Sequence, residues 1–250
     1  MKALITGASS GLGRDFALAL SKQGYDLILV AKDKLKLNNV KKEIASNVET
    51  IVCDLSSVSN VYDLYEKIKD NDIDLFINNA GFGDIGVFTK TSLEKELNMI
   101  NTNVVAVHVL TKLILKDMVK KDHGKILNVA SSAAFQPGPL MATYYSTKSY
   151  VFNLTMALYE ELRKMGSNVH ISALCPGPVN TNFNNVANCE FKVRSLSSEY
   201  VVDYTLKKLK RNKLLIIPGF DIKSVYILGR LVPLKLKLKL AYSIQHRKIK

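Results

Sequence analysis

The chain is poor in cysteine. Cys53, Cys175 and Cys189 are its only thiols among 250 residues, an odd number with no Cys-x-x-Cys pair. That usage speaks against a disulfide framework and against a zinc site, and no metal is expected. The thiols read as small hydrophobic groups in a reducing compartment. No run approaches the ~20 apolar residues that span a bilayer. The apolar stretch Lys2–Gly7 is too short for the central region of a secretion signal, and turn residues follow at once. A soluble cytoplasmic protein is the expectation. Internal repeats, low-complexity tracts and linkers are also missing, so residues 1–250 are expected to form a single domain. With 47% hydrophobic and 23% charged residues, such a chain can bury a core unaided by disulfides or metals.

Acid is missing from the C-terminal end. The net charge is +13, and after Asp221 no Asp or Glu occurs, while Lys223, Arg230, Lys235, Lys237, Lys239, Arg247, Lys248 and Lys250 do. Residues 221–250 therefore read as a basic extension. It is either a solvated face or a contact for an anionic partner such as a membrane surface; no specific nucleic-acid partner is expected. Within it, the alternation LKLKLKL has the period of a strand. The same residues also place Leu234, Leu238 and Tyr242 in one stripe of a basic amphipathic helix. Such a helix would lie on anionic lipid, cover a pocket or meet another subunit.

What is present is an alternation of apolar, β-branched runs with helix-period segments. Strands are predicted at Ala3–Thr6, Leu27–Ala31, Val48–Cys53, Ile73–Asn78, Lys125–Ala130, Val169–Leu174 and Leu214–Ile217. Helices are predicted between them, including Leu12–Gln23, Ser92–Lys121, Ala142–Met165 and Glu199–Lys210. Near-continuous apolar strands joined by helices imply a parallel sheet covered on both faces. Right-handed crossovers turn this into a three-layer, doubly wound α/β fold with about seven strands.

The first strand runs into TGASSGLG, with Gly7, Gly11 and Gly13 at the turn into a helix. Glycines there permit a tight turn and let backbone approach a pyrophosphate, while the helix N-terminus offers free N–H groups. The fourth strand ends in NNAG (78–81) and the fifth in NVASS (128–132); the long helix carries Tyr144-x-x-x-Lys148, and PGPVNT (176–181) follows the sixth strand. Residues four apart project from one helical face. These motifs, in this order, resemble the short-chain dehydrogenase/reductase family in its compact single-domain form, over roughly Ala3–Gly219.

The resemblance implies a Rossmann fold and hydride transfer between a nicotinamide and a carbonyl or secondary alcohol. It implies Tyr144 as proton donor or acceptor, with Lys148 lowering the phenol's pKa and binding the nicotinamide ribose. Ser131, thirteen residues before Tyr144, would hold the substrate oxygen. It is preferred to Ser132, because alternation along a strand end would point only one of them into the site. Asn101 and Asn103 compete as the fourth catalytic residue, and the motif register favours Asn103. Carried over as cofactor-binding are the glycine-loop residues Gly7, Ser9, Ser10, Gly11, Leu12 and Gly13. So are Asp54 and Leu55 near the adenine, Asn78, Ala80 and Gly81 of NNAG, and Pro176, Gly177, Val179 and Thr181 at the carboxamide. Dimers or tetramers are implied as well.

NADP(H) is expected over NAD(H), with NAD(H) remaining possible. Ala31 stands where NAD-selecting members place an acid, and Lys32 follows, suited to a 2′-phosphate. Ser10 and Asp33 temper that preference, and lysine lacks arginine's fork. An apolar substrate is suggested by Phe183, Val186, Phe191 and Val193 in a lid segment, 180–197, and by Phe135, Pro137, Leu140 and Met141 before Tyr144. Two rival readings remain: a non-catalytic NADP(H)-binding sensor, and an epimerase or dehydratase working through transient oxidation.

Overall fold

The computed structural model describes residues 1–181, 183, 195–229 and 231–247. Among them the strands are β1 (Lys2–Thr6), β2 (Asp26–Ala31), β3 (Val48–Val52), β4 (Leu75–Asn78), β5 (Lys125–Val129), β6 (His170–Leu174) and β7 (Leu215–Ile216). They form one parallel sheet in the order β3-β2-β1-β4-β5-β6-β7. The chain winds one way from β1 to β3, then crosses back to β4 and winds the other way. At that reversal, helices leave β1 and β4 toward opposite faces, and a crevice opens beyond the strand ends.

The helices are α1 (Gly11–Ser21), α2 (Lys34–Lys42), α3 (Val58–Ile68), α4 (Leu93–Ile100), α5 (Val107–Lys121) and α6 (Ala142–Met165). Then come α7 (Ser198–Lys210), α8 (Phe220–Leu228) and α9 (Leu234–His246). Alternation along the strands divides the core. Ala3, Ile5, Leu27, Leu29 and Ile77 face α1, α2 and α7, where Phe16, Leu37 and Val201 meet them. Leu4, Ile28, Val30 and Phe76 face the other way, onto Val61, Leu64, Leu110 and Ile114 of α3 and α5. Each such side chain, removed from water, contributes roughly 1.5–3 kcal/mol.

Most predicted elements lie within one to three residues of their observed bounds; α8 was not anticipated. The ambiguous Leu/Lys stretch is helical, as α9. Leu and Lys are both good helix formers, and no neighbouring strand edge pairs with it among the described residues. From Leu93 to Lys121 the chain is helical for 29 residues, long and apolar enough by length and composition to cross a membrane. Its apolarity has a local explanation, since Met99, Ala106, Leu110, Ile114 and Met118 are buried against the rest of the fold. A π-helical turn, Asn101–Ala106, interrupts it.

A buried row of polar side chains links the sheet to α5 and α6. The Thr6 hydroxyl donates to Asn78 Oδ1 at 3.5 Å, and Asn78 Nδ2 donates to Thr111 Oγ1 at 3.3 Å. Thr111 in turn donates to Asn128 Oδ1 at 3.3 Å, and Asn128 Nδ2 to Thr155 Oγ1 at 3.0 Å. Thr155 ends the row on the Val151 carbonyl. All five residues are buried, so their mutual bonds replace those lost to water.

Candidate active site

Beyond Thr6 the chain turns back on itself into α1. Gly7 has φ +65°, and a Cβ on Gly13 would lie 2.2 Å from the Gly7 carbonyl oxygen. Only glycines allow this return, which brings the N-terminus of α1 to a cavity of about 760 Å³. Gly7, Ser9, Ser10, Gly11 and Leu12 stand on its wall; Gly13 does not, and serves the turn instead. The NNAG loop closes against this turn. Asn79 N and Ala80 N donate to the Thr6 hydroxyl at 2.9 and 3.1 Å, and Asn79 Nδ2 donates to the Thr6 carbonyl at 2.9 Å. Ala80 and Gly81 line the cavity as expected, and so does Asn79, which the motif comparison passed over. Asn78 is a correction. Its side chain turns into the core, toward Val107 and Thr111, because residues alternate across the strand end.

One end of the cavity is lined by charged residues of both signs. Lys32, Asp33, Lys36, Asp54, Leu55 and Ser56 line it. Asp33 is committed to α2, capping it by accepting from Lys36 N at 3.0 Å, with Lys36 Nζ 3.4 Å from its other oxygen. The Asp54 carboxyl is held below its ordinary range, first by the Ser56 N–H and in part by the charge of Lys32. Lys36 had no motif to announce it.

At the other end lie Ser131, Tyr144 and Lys148. Ser131 ends the extended stretch after β5, and its hydroxyl accepts from Ala133 N at 3.1 Å. Ser132 also lines the cavity, contrary to the expectation that only one serine could. Strand alternation has ended there, since Ser132 opens a 3₁₀ turn that runs to Phe135. Tyr144 and Lys148 project from the first turns of α6, both buried. Lys148 Nζ donates to the Val129 carbonyl at 2.8 Å. Burial pulls its pKa from 10.5 down to about 8, and burial likewise pushes the Cys175 thiol up to about 12. Asn103 lies in the π-helical turn and is fully buried. Its Nδ2 donates to the Phe82 carbonyl at 2.8 Å and to Thr147 Oγ1 at 3.1 Å, and its Oδ1 accepts from Phe82 N. Asn103 is behind the wall rather than on it. A Cβ on Gly81 would touch both Asn103 Oδ1, at 2.9 Å, and Lys148 Nζ, at 3.3 Å. Glycine there lets the loop pass between them.

Pro176, Gly177, Val179 and Thr181 all line the cavity, and Thr181 approaches the glycine loop at Gly11. Phe82, Met141, Tyr145 and Phe183 form an apolar wall around Tyr144, with the Phe183 ring 5.4 Å from the Tyr144 ring. Of the apolar residues expected before Tyr144, only Met141 reaches the cavity. Phe135 packs on Phe152 and Tyr226, and Pro137 and Leu140 lie off the wall. Val186, Phe191 and Val193 lie outside the described residues. Ser92, Glu94, Lys95 and Asn98 add a polar rim from the start of α4, where Lys95 pairs with Asp84 at 2.6 Å.

Comparison with known proteins agrees with this geometry. The family model described as short chain dehydrogenase matches residues 1–190. The chain belongs to the short-chain dehydrogenase/reductase family and is an oxidoreductase of that family, which uses nicotinamide cofactors. It is 31% identical over 242 residues to hydroxysteroid dehydrogenase-like protein 1 of Gallus gallus, covering 92% of this chain and 72% of that protein. It is 33% identical over 220 residues to a very-long-chain 3-oxoacyl-CoA reductase of Pyrenophora tritici-repentis, covering 84% of this chain. It spans only 63% of the length of that reductase. Among solved structures, a short-chain dehydrogenase from Sphingobium yanoikuyae in complex with NADPH superposes with a TM-score of 0.84 at 28% identity, covering 92% of each chain.

Proposed function

We propose that this chain forms one dinucleotide-binding and catalytic domain that uses NADP(H) to interconvert a carbonyl and a secondary alcohol on a hydrophobic substrate. The observation that carries the reading is the buried ammonium of Lys148, held by Val129 in a cavity it shares with Ser131 and Tyr144. The glycine turn fits a dinucleotide. Its close return leaves no room for a side chain at Gly13 and presents the N-terminus of α1 to the cavity. Ser9, Ser10, Gly11 and Leu12 would hold the pyrophosphate, and Asp54, Leu55 and Ala80 the adenosine. Pro176, Gly177, Val179 and Thr181 would hold the carboxamide. When bound, the cofactor supplies or accepts the hydride.

The residues of the chain do the rest. Ser131 Oγ hydrogen-bonds the substrate oxygen and stabilises charge growing on it. Tyr144 Oη gives that oxygen a proton in reduction and takes it back in oxidation. A phenol of pKa ~10 is a poor acid–base catalyst at neutral pH, and the nearby Lys148 charge favours its ionised form. Asn103 fixes Phe82 and Thr147, and so holds the loop beside Lys148. Phe82, Met141 and Phe183 exclude water from the reacting oxygen. The 2′-phosphate of NADP(H) would meet Lys32 and Lys36; of the two acids beside them, Asp33 is spent on its helix cap and Asp54 is held by Ser56. Exposed Leu97, Ile100 and Tyr150 on α4 and α6 suit a dimer or tetramer.

The test is loss of NADPH absorbance against ketones graded by size and apolarity, with Tyr144→Phe alongside. Turnover that vanishes in the variant supports the assignment, and the best ketone defines the pocket. Tight NADPH binding with no turnover on any ketone would transfer the assignment to a non-catalytic sensor.

A further inference from the structure

Helix α9 presents two faces of different character. Ala241 and Gln245, four apart, are 4% and 2% exposed, and Gln245 reaches the Tyr145 hydroxyl beside the cavity. This is the docked face. Leu236, Leu240 and Ile244 also recur every four residues, but they are 50%, 53% and 51% exposed. They form an aliphatic stripe turned away from the protein. Just before the helix, Leu228 and Leu231 are exposed as well, at 61% and 82%. An outward row of this kind has no role in the core, because the same helix already fills its core contacts with its other face.

Charge identifies what the stripe meets. Lys235 and Lys239 are exposed between the leucines, half-buried Lys237 falls on the docked side four residues before Ala241, and Arg247 follows. Asp221 is the last acidic residue of the chain. Among the described residues none of these three lysines forms an ion pair. We propose that the outer face of α9 docks this protein on an anionic membrane surface, with the leucine stripe at the acyl boundary and the lysines among phosphate and carboxylate headgroups. A helix of 13 residues is about 20 Å long. That is too short for a hydrocarbon core of ~30 Å, so it lies in the interface plane rather than across it. A second copy of the chain is a poorer occupant. A symmetric contact through this face would bring lysines against lysines, whereas anionic lipid neutralises them.

The test is co-sedimentation of the full chain with phosphatidylcholine vesicles, with or without phosphatidylserine, at low and high salt. Two variants run beside the parent: L236S/L240S/I244S, and K235E/K239E at exposed positions. Thermal midpoint and NADPH binding report whether each is folded. The parent is expected on the phosphatidylserine vesicles only, with binding weakened by salt, and each variant is expected to lose about tenfold in partitioning. If the stripe variant is unfolded, the charge-reversal variant decides alone. No binding to phosphatidylserine vesicles, or binding unchanged by charge reversal, overturns the proposal. A parent that ignores vesicles but forms a dimer broken by L236S/L240S/I244S overturns it in favour of a second copy.

Discussion

Gln245 of α9 donates its side-chain amide to the hydroxyl of Tyr145, the neighbour in sequence of Tyr144. The C-terminal helix is thereby tied to the wall of the cavity. Burial pushes the Tyr145 phenol up to about 12, so it stays neutral and able to serve as a partner at every ordinary pH. Gln245→Leu removes the partner of that half-buried hydroxyl, at a cost of about 1 kcal/mol. A lower unfolding midpoint in thermal melts is expected, with a larger rise in KM for bulky ketones than for small ones. In the double variant with Tyr145→Phe the costs should fall short of their sum, because both changes remove the same bond.

Tyr144→Phe removes the proton donor and little volume. kcat should fall by roughly 10²–10⁴, while NADPH binding followed by fluorescence stays within a few-fold of the parent. Equal loss in binding and turnover would mean that the ring is a structural support only.

Selection of the phosphorylated cofactor is expected to rest on two lysines rather than one. Lys32→Ala and Lys36→Ala should each weaken NADPH by about tenfold, the scale of one charge-assisted bond, and leave NADH nearly unchanged. Titration calorimetry with both nucleotides distinguishes this from a general loss of fold. NADH bound more tightly than NADPH by the parent would refute the preference.

The buried Lys148 makes stability depend on pH in a defined direction. Its folded pKa, about 8, is below its ordinary 10.5. Below about 8 both folded and unfolded chains hold the proton, and the folded state bears the full cost of a buried charge. Between about 8 and 10.5 only the unfolded chain holds it, so unfolding free energy rises with pH across that window. Summed over the window the lysine is worth about 3 kcal/mol. The parent should therefore gain stability over Lys148→Met as pH is raised from 8 to 10.5 in denaturant melts. A difference that stays flat would show that the ammonium is hydrated.

Much of this was legible in the sequence, for reasons tied to backbone constraint. The return at Gly7 and Gly13 admits no other side chain, so it leaves an unmistakable spelling. Buried parallel strands such as Leu27–Ala31 must be apolar on both faces and show as unbroken runs. The four-residue spacing of Tyr144 and Lys148 survives because one helix carries both. What escaped depends on direction rather than identity. Asn78 and Asn79 read alike, yet one turns into the core and the other clamps the glycine turn. Ser131 and Ser132 were separated by a strand rule that lapses where a 3₁₀ turn begins. Lys36 reaches the cavity through the position of α2, and Gln245 reaches Tyr145 across a hundred residues. The Leu/Lys repeat of α9 obeyed two periods at once, and helix propensity, with no strand edge to pair with among the described residues, chose between them.

The row from Thr6 through Asn78, Thr111 and Asn128 to Thr155 has a sense as well as a course. Every member donates a hydrogen bond to the next, and the last donates to the carbonyl of Val151. An amide turned over at any point would set donor against donor in a place water does not reach. The row therefore works as a parity check on assembly. It closes when β1, β4 and β5 are in register and α5 and α6 sit at the right rotation, and a one-residue slip leaves it open. Hydrophobic contact alone tolerates such slips, so at this level the uniqueness of the fold is written in the direction of five weak bonds rather than in their strength.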